Sequence, residues 1–278
     1  MVKVISKPEL FGLALCGGKS ARMKTPKAEI DYHGMPQWQH ALALLSRHCA
    51  KAFLSVSPYW RPADMHVPQI PDRFEQSFGP LTGILSAMRT HPSVAWLVIG
   101  VDMPFMDDDA IRALIHNRDA DRLVSAFCHV DKMVEPLCAI YEPSVLSTLL
   151  EFWAAGTHCP RSILRTIGAH LIVAHNDRWL QNVNHIEERE EAKLSCSAKK
   201  TVQITYFAQL REQRGCSSEI LETAMRSLRE LYSELQTKHE FSLKPEHMRV
   251  AVSDRFVDWN TQMQSGDHIV FVPPVAGG

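Results

Sequence analysis

A glycine pair and a cluster of cations follow one another closely near the start of the chain, in the stretch LALCGGKSARMKTPK (residues 13–27). Gly17 and Gly18 have no Cβ, so the backbone can turn tightly after an apolar run and approach a ligand. The cations nearby are Lys19, Arg22, Lys24 and Lys27. Free backbone N–H groups beside clustered cations indicate a polyphosphate cradle, and an ordinary turn next to a solvated charged surface is the alternative.

A second candidate is Asp102, which directly follows the apolar run VAWLVIGV (residues 94–101). In open α/β sheets, ligands bind in the crevice at the carboxyl ends of the strands. A carboxylate there is a hard oxygen ligand of the kind that Mg²⁺ prefers. Asp102 is therefore predicted to bind Mg²⁺ against phosphates. A helix N-cap is the alternative role, but Asp107 and Asp108 are closer to the next predicted helix.

The stretch VFVPPVAGG (residues 270–278) is the third candidate. Pro273 and Pro274 lack an N–H group, so the last strand cannot extend its ladder past Val272. Gly277 and Gly278 have no side chains, so an extended end of this kind can enter a narrow channel. The pattern predicts a protruding tail that presents its carboxylate to another protein, and a loose end is the alternative.

These candidates depend on a sheet that gathers the ends of several strands. Apolar and amphipathic segments alternate along the first part of the chain. Strands are predicted at residues 11–16, 52–56, 95–101, 122–127, 137–141 and 170–175, and helices at 37–50, 81–91, 108–117, 143–155 and 161–167. Helical crossovers imply a mostly parallel sheet covered on both faces, which is the α/β class.

The alternation ends at HIEEREEAKLSCSAKKT (residues 185–201), where the apolar period is lost. This change indicates a domain boundary. We predict a first domain at residues 1–192, a linker at 193–200 that spans about 15 Å as a flexible coil, and a second domain at 201–278. In the second domain, strands are predicted within 201–210, 247–254 and 266–274, and residues 217–238 have the period of one long helix. This is an α+β pattern, a sheet wrapped on a helix.

Composition restricts the class of protein. The chain has 278 residues, of which 45% are hydrophobic and 22% charged, as in globular proteins with a core. The 30 Lys and Arg balance 31 Asp and Glu, so we expect no nucleic-acid partner. The apolar runs are far shorter than the roughly 20 residues that span a bilayer, so we expect no membrane association. Seven irregularly spaced cysteines argue against a disulfide scaffold and favour the cytoplasm.

Several motifs in order give nearly all of the first 190 residues a resemblance to the molybdenum cofactor guanylyltransferase family. The motifs are LCGGKSARMKTPK, GPLTGILSAM (79–88), GVDMPF (100–105), EPLCAIY (135–141) and QNVN (181–184). The resemblance implies a Rossmann-like nucleotidyltransferase fold. It also implies the transfer of GMP from Mg²⁺-bound GTP to molybdopterin, the organic part of the molybdenum cofactor, with release of pyrophosphate.

The same resemblance assigns roles by position. Lys27 and Arg22 would act on the phosphates, and Asp102 would ligate Mg²⁺. Asn182 and Asn184 would face the pterin or the metal-bound phosphates. The residues assigned to the nucleotide are Leu15, Cys16, Gly17, Gly18, Ser55, Asp72, Gly79 and Gly83. Because the attacking phosphate is already ionised at neutral pH, in-line positioning and charge neutralisation suffice without a strong general base.

Three residues depart from the family pattern. Lys24 and Pro26 stand where the family usually has Gly and Asp, and Cys16 replaces Ala. The ending TPK also occurs in relatives that use CTP or build sugar nucleotides, so a cytidylyl- or sugar-nucleotidyltransferase is the alternative enzyme. The motif GPLTGI favours the guanine-using branch, and we therefore expect GTP.

The last 78 residues resemble the small subunit of molybdopterin synthase, a ubiquitin-like β-grasp sulfur carrier. The motifs are ITYFAQLRE (204–212), RVAVSDRFVD (249–258) and SGDHIVFVPPVAGG (265–278). The resemblance implies that an adenylating enzyme of the ubiquitin-activating type activates Gly278. The resulting thiocarboxylate would donate sulfur inside the large subunit of the synthase. A ubiquitin-like modifier or a thiamine-type sulfur carrier is the alternative.

This second resemblance also changes the predicted elements. It implies a strand over residues 218–222, with Thr223 as the N-cap of the helix that follows. Four apolar residues are candidates for an exposed face that a partner would cover: Phe207, Leu210, Phe271 and Val272. Burial in the core is the alternative for each of them.

Overall fold

The computed structural model describes residues 7–16, 26–58, 60–74, 78–197 and 199–274. The chain divides into two compact units, Met1–Cys196 and Ser197–Gly278. Among the described residues, none of the helices is long and apolar enough to cross a membrane.

A seven-stranded sheet forms the centre of the first unit. Its strands are β1 (Leu10–Leu15), β2 (Lys51–Val56), β3 (Gln69–Pro71), β4 (Ala95–Gly100), β5 (Val124–Cys128), β6 (Val134–Tyr141) and β7 (His170–Val173), in the order β3-β2-β1-β4-β6-β5-β7. Strand β6 runs antiparallel to β4 and β5, and the other neighbouring pairs are parallel. The prediction of a mostly parallel sheet is confirmed. The sequence pattern missed β3, because three residues are too few to show a period.

Helices cover both faces of this sheet. They are α1 (Gln37–Ser46), α2 (Pro80–Thr90), α3 (Asp108–His116), α4 (Leu146–Ala154) and α5 (Pro160–Ile167). A further helix, α6 (Ile186–Ser197), packs through Ala192 with Ile30 and Tyr32. Alternate residues of β4 enter two separate cores, Leu97 on the side of α1 and α3 and Val98 on the side of α2, α4 and α5. Because successive side chains of a strand point to opposite faces, a strand buried on both faces must be apolar throughout. This explains the unbroken apolar run before Asp102.

The segment predicted as a flexible linker is mostly helical, which corrects the sequence interpretation. Helix α6 continues to Ser197, and the next strand begins at Lys200. Residues 193–197 therefore belong to a helix, and the coil span of about 15 Å does not apply to them. The sequence pattern failed here because the helix is strongly charged and has little apolar period, as in EEREEAK (187–193).

The second unit is a five-stranded sheet with one long helix. Its elements are β8 (Lys200–Tyr206), α7 (Ala208–Arg214), β9 (Ser218–Thr223), α8 (Leu228–His239), β10 (Arg249–Val252), β11 (Arg255–Val257) and β12 (His268–Val272). The strand order is β11-β10-β12-β8-β9, with β12 parallel to β8 and antiparallel to β10. Leu231 and Leu235 of α8 pack in the same core as Ile204 and Ile269 of the sheet. This is the β-grasp arrangement, and it confirms the predicted fold class.

The start of α8 differs from the prediction. Its N-cap is Ser227, whose side chain accepts from Glu230 N, while Glu230 caps the backbone N–H of Ser227 in return. Thr223, the predicted N-cap, is instead buried at the end of β9, where its hydroxyl accepts from Met225 N at 3.0 Å. The reason is the reciprocal capping box, which Ser227 and Glu230 can form at their spacing of three residues.

Candidate functional site

The carboxyl ends of three parallel strands meet at one edge of the first sheet. Cys16, directly after β1, donates its backbone N–H to Ser55 O on β2 at 3.3 Å, and Val101, directly after β4, donates to Leu15 O at 3.4 Å. The residues that follow β1 and β4 therefore begin side by side.

The Cys16 side chain is buried, and this burial, with the charge of Glu29 nearby, raises the pKa of its thiol far above the ordinary range.

Three of the predicted site residues form a polar cluster at this edge. Lys27 Nζ donates to Asp102 Oδ2 at 3.2 Å, and it also donates to Asn184 Oδ1. The Lys27 and Asp102 side chains are 25% and 22% exposed, so the ion pair remains accessible. Lys27 begins a short 3-10 helix, Asp102 follows β4, and Asn184 lies just before α6. The fold thus joins three elements that are distant in sequence.

Local structure holds Asp102 in this position. Gly100 provides the space, because a Cβ there would lie 2.7 Å from Asp102 Oδ1. The carbonyl of Asp102 accepts from Val183 N at 2.8 Å, which fixes the segment between Asn182 and Asn184 beside it. Asp107, as predicted, is the N-cap of α3 and accepts from Ala110 N at 2.8 Å. Asp102 is therefore not needed to cap that helix.

The donor set of this cluster suits Mg²⁺. Asp102 Oδ2 and Asn184 Oδ1 both bind the ammonium of Lys27, so a carboxylate oxygen and an amide oxygen already face one cation. Within the described ranges, no three His, Cys, Asp or Glu residues lie together as a larger metal cage. Mg²⁺ is typically bound by one or two carboxylates together with substrate phosphates. The residues present fit an ion that the protein shares with its substrate.

The residues predicted on the nucleotide side lie along the same edge. Gly83 on α2 packs against β1 and β2, since a Cβ there would lie 2.8 Å from Leu15 Cδ2 and closer still to Ser55 Oγ. Gly79 is the N-cap of α2 and has a φ of 75°, a backbone conformation that favours glycine. Asp72 directly follows β3, where its N–H donates to Val56 O at 3.0 Å.

The remaining predicted residues divide into two groups. Asn182 is half-buried two residues before Asn184. The others, namely Gly17, Gly18, Arg22 and Gly278, lie outside the described residues, and their roles stay predictions.

Sequence reasoning missed Glu135, a buried carboxylate on β6. Its Oε2 accepts from Arg161 Nη2 at 3.1 Å, and its Oε1 accepts from Leu137 N at 3.1 Å, where the pairing of β5 and β6 shifts register. Burial raises the pKa of Glu135, and the negative charge of Asp102 adds to this effect. The signal was present in the motif EPLCAIY, because a glutamate within an apolar strand needs a partner.

A second missed residue is Glu188, in the first turn of α6. Its Oε2 accepts from the backbone N–H groups of Asn184 at 2.7 Å and His185 at 3.0 Å. These two hydrogen bonds are the main cause that lowers the pKa of Glu188, and the charges of His185 and Lys27 contribute less. A glutamate three residues after the residue that precedes a helix is the available sequence signal.

In the second unit, the last described strand ends where the sequence predicts. Strand β12 stops at Val272, before Pro273 and Pro274. The exposed apolar face differs from the prediction, however. Leu210 and Phe271 are fully buried in the core, whereas Phe207 is 50% exposed and Val272 is half-buried. Phe271 and Val272 are consecutive in one strand, so their side chains must point to opposite faces of the sheet.

The register of the sheet shows which residues share the outer face. Phe256, Ala251 and Val270 lie side by side on β11, β10 and β12. Phe256 is 57% exposed, and the Arg249 guanidinium lies over its ring at 4.2 Å. Val272 lies two residues beyond Val270 on the same face. Phe256, Ala251, Val270 and Val272 therefore belong to the outer face, as does the exposed Ile220 on β9, whereas Leu210 and Phe271 belong to the core.

Comparison with known proteins agrees with this geometry. The model of the MobA-like NTP transferase domain matches residues 12–176, more than half of the chain, and the chain belongs to this family. The ThiS family model matches residues 204–278. The chain thus joins a MobA-like NTP transferase domain to a ThiS-like domain, and each match falls mainly within one of the two units.

Individual curated proteins and solved structures are also similar to this chain. The chain is 35% identical over 187 residues to the molybdenum cofactor biosynthesis bifunctional protein of Synechocystis sp.. This match covers 66% of this chain and 54% of the Synechocystis protein. It is 27% identical to a molybdenum cofactor guanylyltransferase of Bordetella petrii, covering 55% of this chain and 81% of the relative. The fold of this chain is similar to the crystal structure of molybdopterin-guanine dinucleotide biosynthesis protein A of Archaeoglobus fulgidus, with a TM-score of 0.55 and 18% identity. The match covers 67% of this chain and 98% of the Archaeoglobus chain.

Proposed function

We propose that the first domain transfers GMP from Mg²⁺-bound GTP to molybdopterin, and that the second domain carries sulfur for molybdopterin synthase. The observation that carries the first part is the cluster of Lys27, Asp102 and Asn184 at the carboxyl edge of the parallel sheet. Its residue types are those needed to hold a metal ion and neutralise phosphate charge. The names of the relatives supply the substrate class.

The chemistry follows from these groups. An oxygen of the terminal phosphate of molybdopterin attacks the α-phosphorus of GTP, the bond to the β-phosphate breaks, and pyrophosphate leaves. Bound Mg²⁺ would neutralise charge on the triphosphate as the bond breaks. Asp102 and Asn184 would hold this ion through their side-chain oxygens. Lys27, released from these oxygens, would bind the phosphates, and no residue needs to remove a proton from the attacking phosphate.

The surroundings of Cys16 support this proposal despite its departure from the family pattern. The raised pKa of its buried thiol keeps Cys16 protonated at neutral pH. A protonated buried cysteine behaves as a small apolar residue. It therefore replaces the usual alanine without introducing a competing nucleophile beside the nucleotide.

Pyrophosphate release with molybdopterin as acceptor tests the first activity, with GTP and CTP compared at equal concentration. We expect GTP to be the better donor. Asp102→Asn should lower the rate by about 1,000-fold, because it removes the charged ligand of the metal. Asp109→Asn is the matched control, since Asp109 lies in the first turn of α3 and pairs with Arg112 at the surface. A preference for CTP would instead identify a cytidylyltransferase.

For the second domain, the ThiS family match that extends to Gly278 supports a sulfur carrier. We propose that an adenylating enzyme joins the Gly278 carboxylate to the AMP group of ATP with release of pyrophosphate. A donor of sulfur at the oxidation level of sulfide then displaces AMP to give the thiocarboxylate. The outer face formed by Phe256, Ala251, Val270 and Val272 is the surface that we assign to the partners. The seven cysteines all lie within the described residues and form no disulfide there, which supports a cytoplasmic location.

Intact-mass measurement tests the carrier. The full chain is incubated with the adenylating enzyme, ATP and a sulfur source, and the expected product gains the mass difference between sulfur and oxygen. A variant extended by one residue beyond Gly278 is the control and should gain no mass. A branched conjugate with a lysine of another protein would identify a ubiquitin-like modifier.

A further inference from the structure

Helix α6 begins at the metal-binding edge of the first domain. Val183, just before it, donates its backbone N–H to the carbonyl of Asp102 at 2.8 Å. The next residue, Asn184, places its side-chain oxygen on the same ammonium that Asp102 binds. The position of Asn184 relative to Asp102 therefore depends on how firmly the backbone between Val183 and Ile186 is held.

One side chain supplies most of that support. The carboxylate oxygen Oε2 of Glu188 accepts from Asn184 N at 2.7 Å and from His185 N at 3.0 Å. These donors lie at the start of a helix, where backbone N–H groups have no partner within the helix. The residue before α6 is His185, which is not among the favoured N-cap types, and Glu188 supplies the side-chain oxygen that an N-cap would otherwise provide.

The start of α8 in the second domain shows the contrast. There, Ser227 and Glu230 cap each other reciprocally. Loss of one half of that pair leaves the other half in place. At α6, loss of the Glu188 carboxylate would release Asn184 N and His185 N together, next to the residues that we assign to the metal.

We propose that Glu188 is a positioning residue, which sets the distance between the side-chain oxygens of Asn184 and Asp102 for metal binding. The proposal rests on the function assigned above to the first domain. Glu188 contacts neither metal nor substrate and acts through the backbone of Asn184. Residues that orient a metal ligand in this way typically change metal affinity about 10- to 100-fold when they are removed.

The experiment measures Mn²⁺ binding to the full chain by electron paramagnetic resonance, with GTP present and no acceptor. We expect Glu188→Ala to weaken Mn²⁺ binding about tenfold. Glu188→Gln should stay within about twofold of the parent chain, because a glutamine side-chain oxygen can accept the same hydrogen bonds. Glu187→Ala is the matched control, since Glu187 is an exposed neighbour in the same helical turn.

The Asp102→Asn variant distinguishes a failure of the positioning role of Glu188 from a failure of the metal site. If Asp102→Asn weakens Mn²⁺ binding and Glu188→Ala behaves like Glu187→Ala, the positioning role of Glu188 is wrong while the metal site stands. If Asp102→Asn leaves Mn²⁺ binding unchanged, the metal site itself is wrong. Circular dichroism of each variant monitors folding. If Glu188→Gln weakens Mn²⁺ binding as much as Glu188→Ala does, the proposal is also overturned.

Discussion

Two aspartates six positions apart in the first domain are bound by cations in different ways. Asp102 meets the ammonium of Lys27 through one oxygen at 3.2 Å, and its side chain is 22% exposed. Asp108 is 3% exposed and meets Arg47 through both oxygens at 2.9 Å, with His48 Nε2 at 2.6 Å from Oδ1. The first contact is single and both of its partners are accessible, whereas in the second the carboxylate is buried and is bound through both oxygens by an arginine that is 39% exposed.

This difference indicates different roles. A single accessible ion pair has little stabilising value, and the cation in it can be exchanged for another. A buried bidentate pair is costly to break, because the carboxylate that remains has no water to replace its partner. Burial alone would raise the pKa of Asp108, but hydrogen bonds from His48 and Arg47 outweigh it and lower the pKa to about 2. We infer that Asp102 serves ligands and that Asp108 joins α1 to α3.

After the loss expected for Asp102→Asn, the largest effect is expected from removing the cation that Asp102 holds. Lys27→Met should lower the rate of GMP transfer about 100-fold through the loss of phosphate neutralisation. In the absence of nucleotide, the same variant should bind Mn²⁺ about tenfold more tightly, because no ammonium competes for the two oxygens. Kinetics and electron paramagnetic resonance provide the two measurements.

Lys51→Met is the control for this variant, since Lys51 lies at the opposite end of β2. It should change neither the transfer rate nor Mn²⁺ binding. Unchanged or weaker Mn²⁺ binding by Lys27→Met would show that the ammonium does not occupy the position of the metal, and the contrast between the two aspartates would lose its basis.

Asp108→Asn should destabilise the first domain by about 2 kcal/mol at pH 7, because the neutral amide loses the charge-assisted hydrogen bonds from Arg47 and His48. Urea unfolding followed by tryptophan fluorescence suits this measurement, because five of the six tryptophans lie in the first domain. Asp102→Asn, as the comparison, should change the unfolding free energy by less than about 0.5 kcal/mol. Equal losses for the two variants would contradict the assignment of separate roles.

The stabilisation by Asp108 should also depend on pH. Its pKa falls from 3.8 to about 2 on folding, so the stabilisation is fully present above pH 3.8 and is lost as the pH falls towards 2. The difference in unfolding free energy between the parent chain and Asp108→Asn should therefore be constant near neutral pH and shrink between pH 4 and 2. A difference that grows on acidification would have the wrong sign for this pair.

The smallest effect is expected from Arg47→Lys. A lysine can reach Asp108 with a single point charge but cannot form the two parallel hydrogen bonds of a guanidinium. We expect a loss of about 1 kcal/mol in the unfolding free energy, less than for Asp108→Asn. If Arg47→Lys is as stable as the parent chain, the bidentate geometry contributes nothing and charge alone matters.

The contacts among the predicted site residues could not be read from the sequence. Asp102 was expected from its place after a buried strand. Lys27, however, lies 75 positions from Asp102 and 157 positions from Asn184 along the chain. No local sequence pattern indicates a contact between residues so far apart, so only the resemblance to a family assigned Lys27, Asp102 and Asn184 to one site. Glu135 was missed because Pro136 interrupts the strand pattern, and the predicted strand therefore began at Leu137.

In the second domain, the errors have a local physical cause. A shift of one residue along a strand changes the face to which a side chain points. The prediction placed Phe271 and Val272 on one exposed face, which a strand does not allow. Thr223 and Ser227 are both favoured N-cap types, and the choice between them depended on Glu230, which completes a reciprocal pair with Ser227 alone.

Strand β12 has a consequence for how the chain is made. It is the last of the described strands to be synthesised, yet it lies between β8 and β10 in the middle of the sheet. A polypeptide released early, before β12, would expose two unpaired strand edges and could not close its core. Ribosomal products that stop before β12 would therefore be left to proteolysis, and folding itself would screen out these chains.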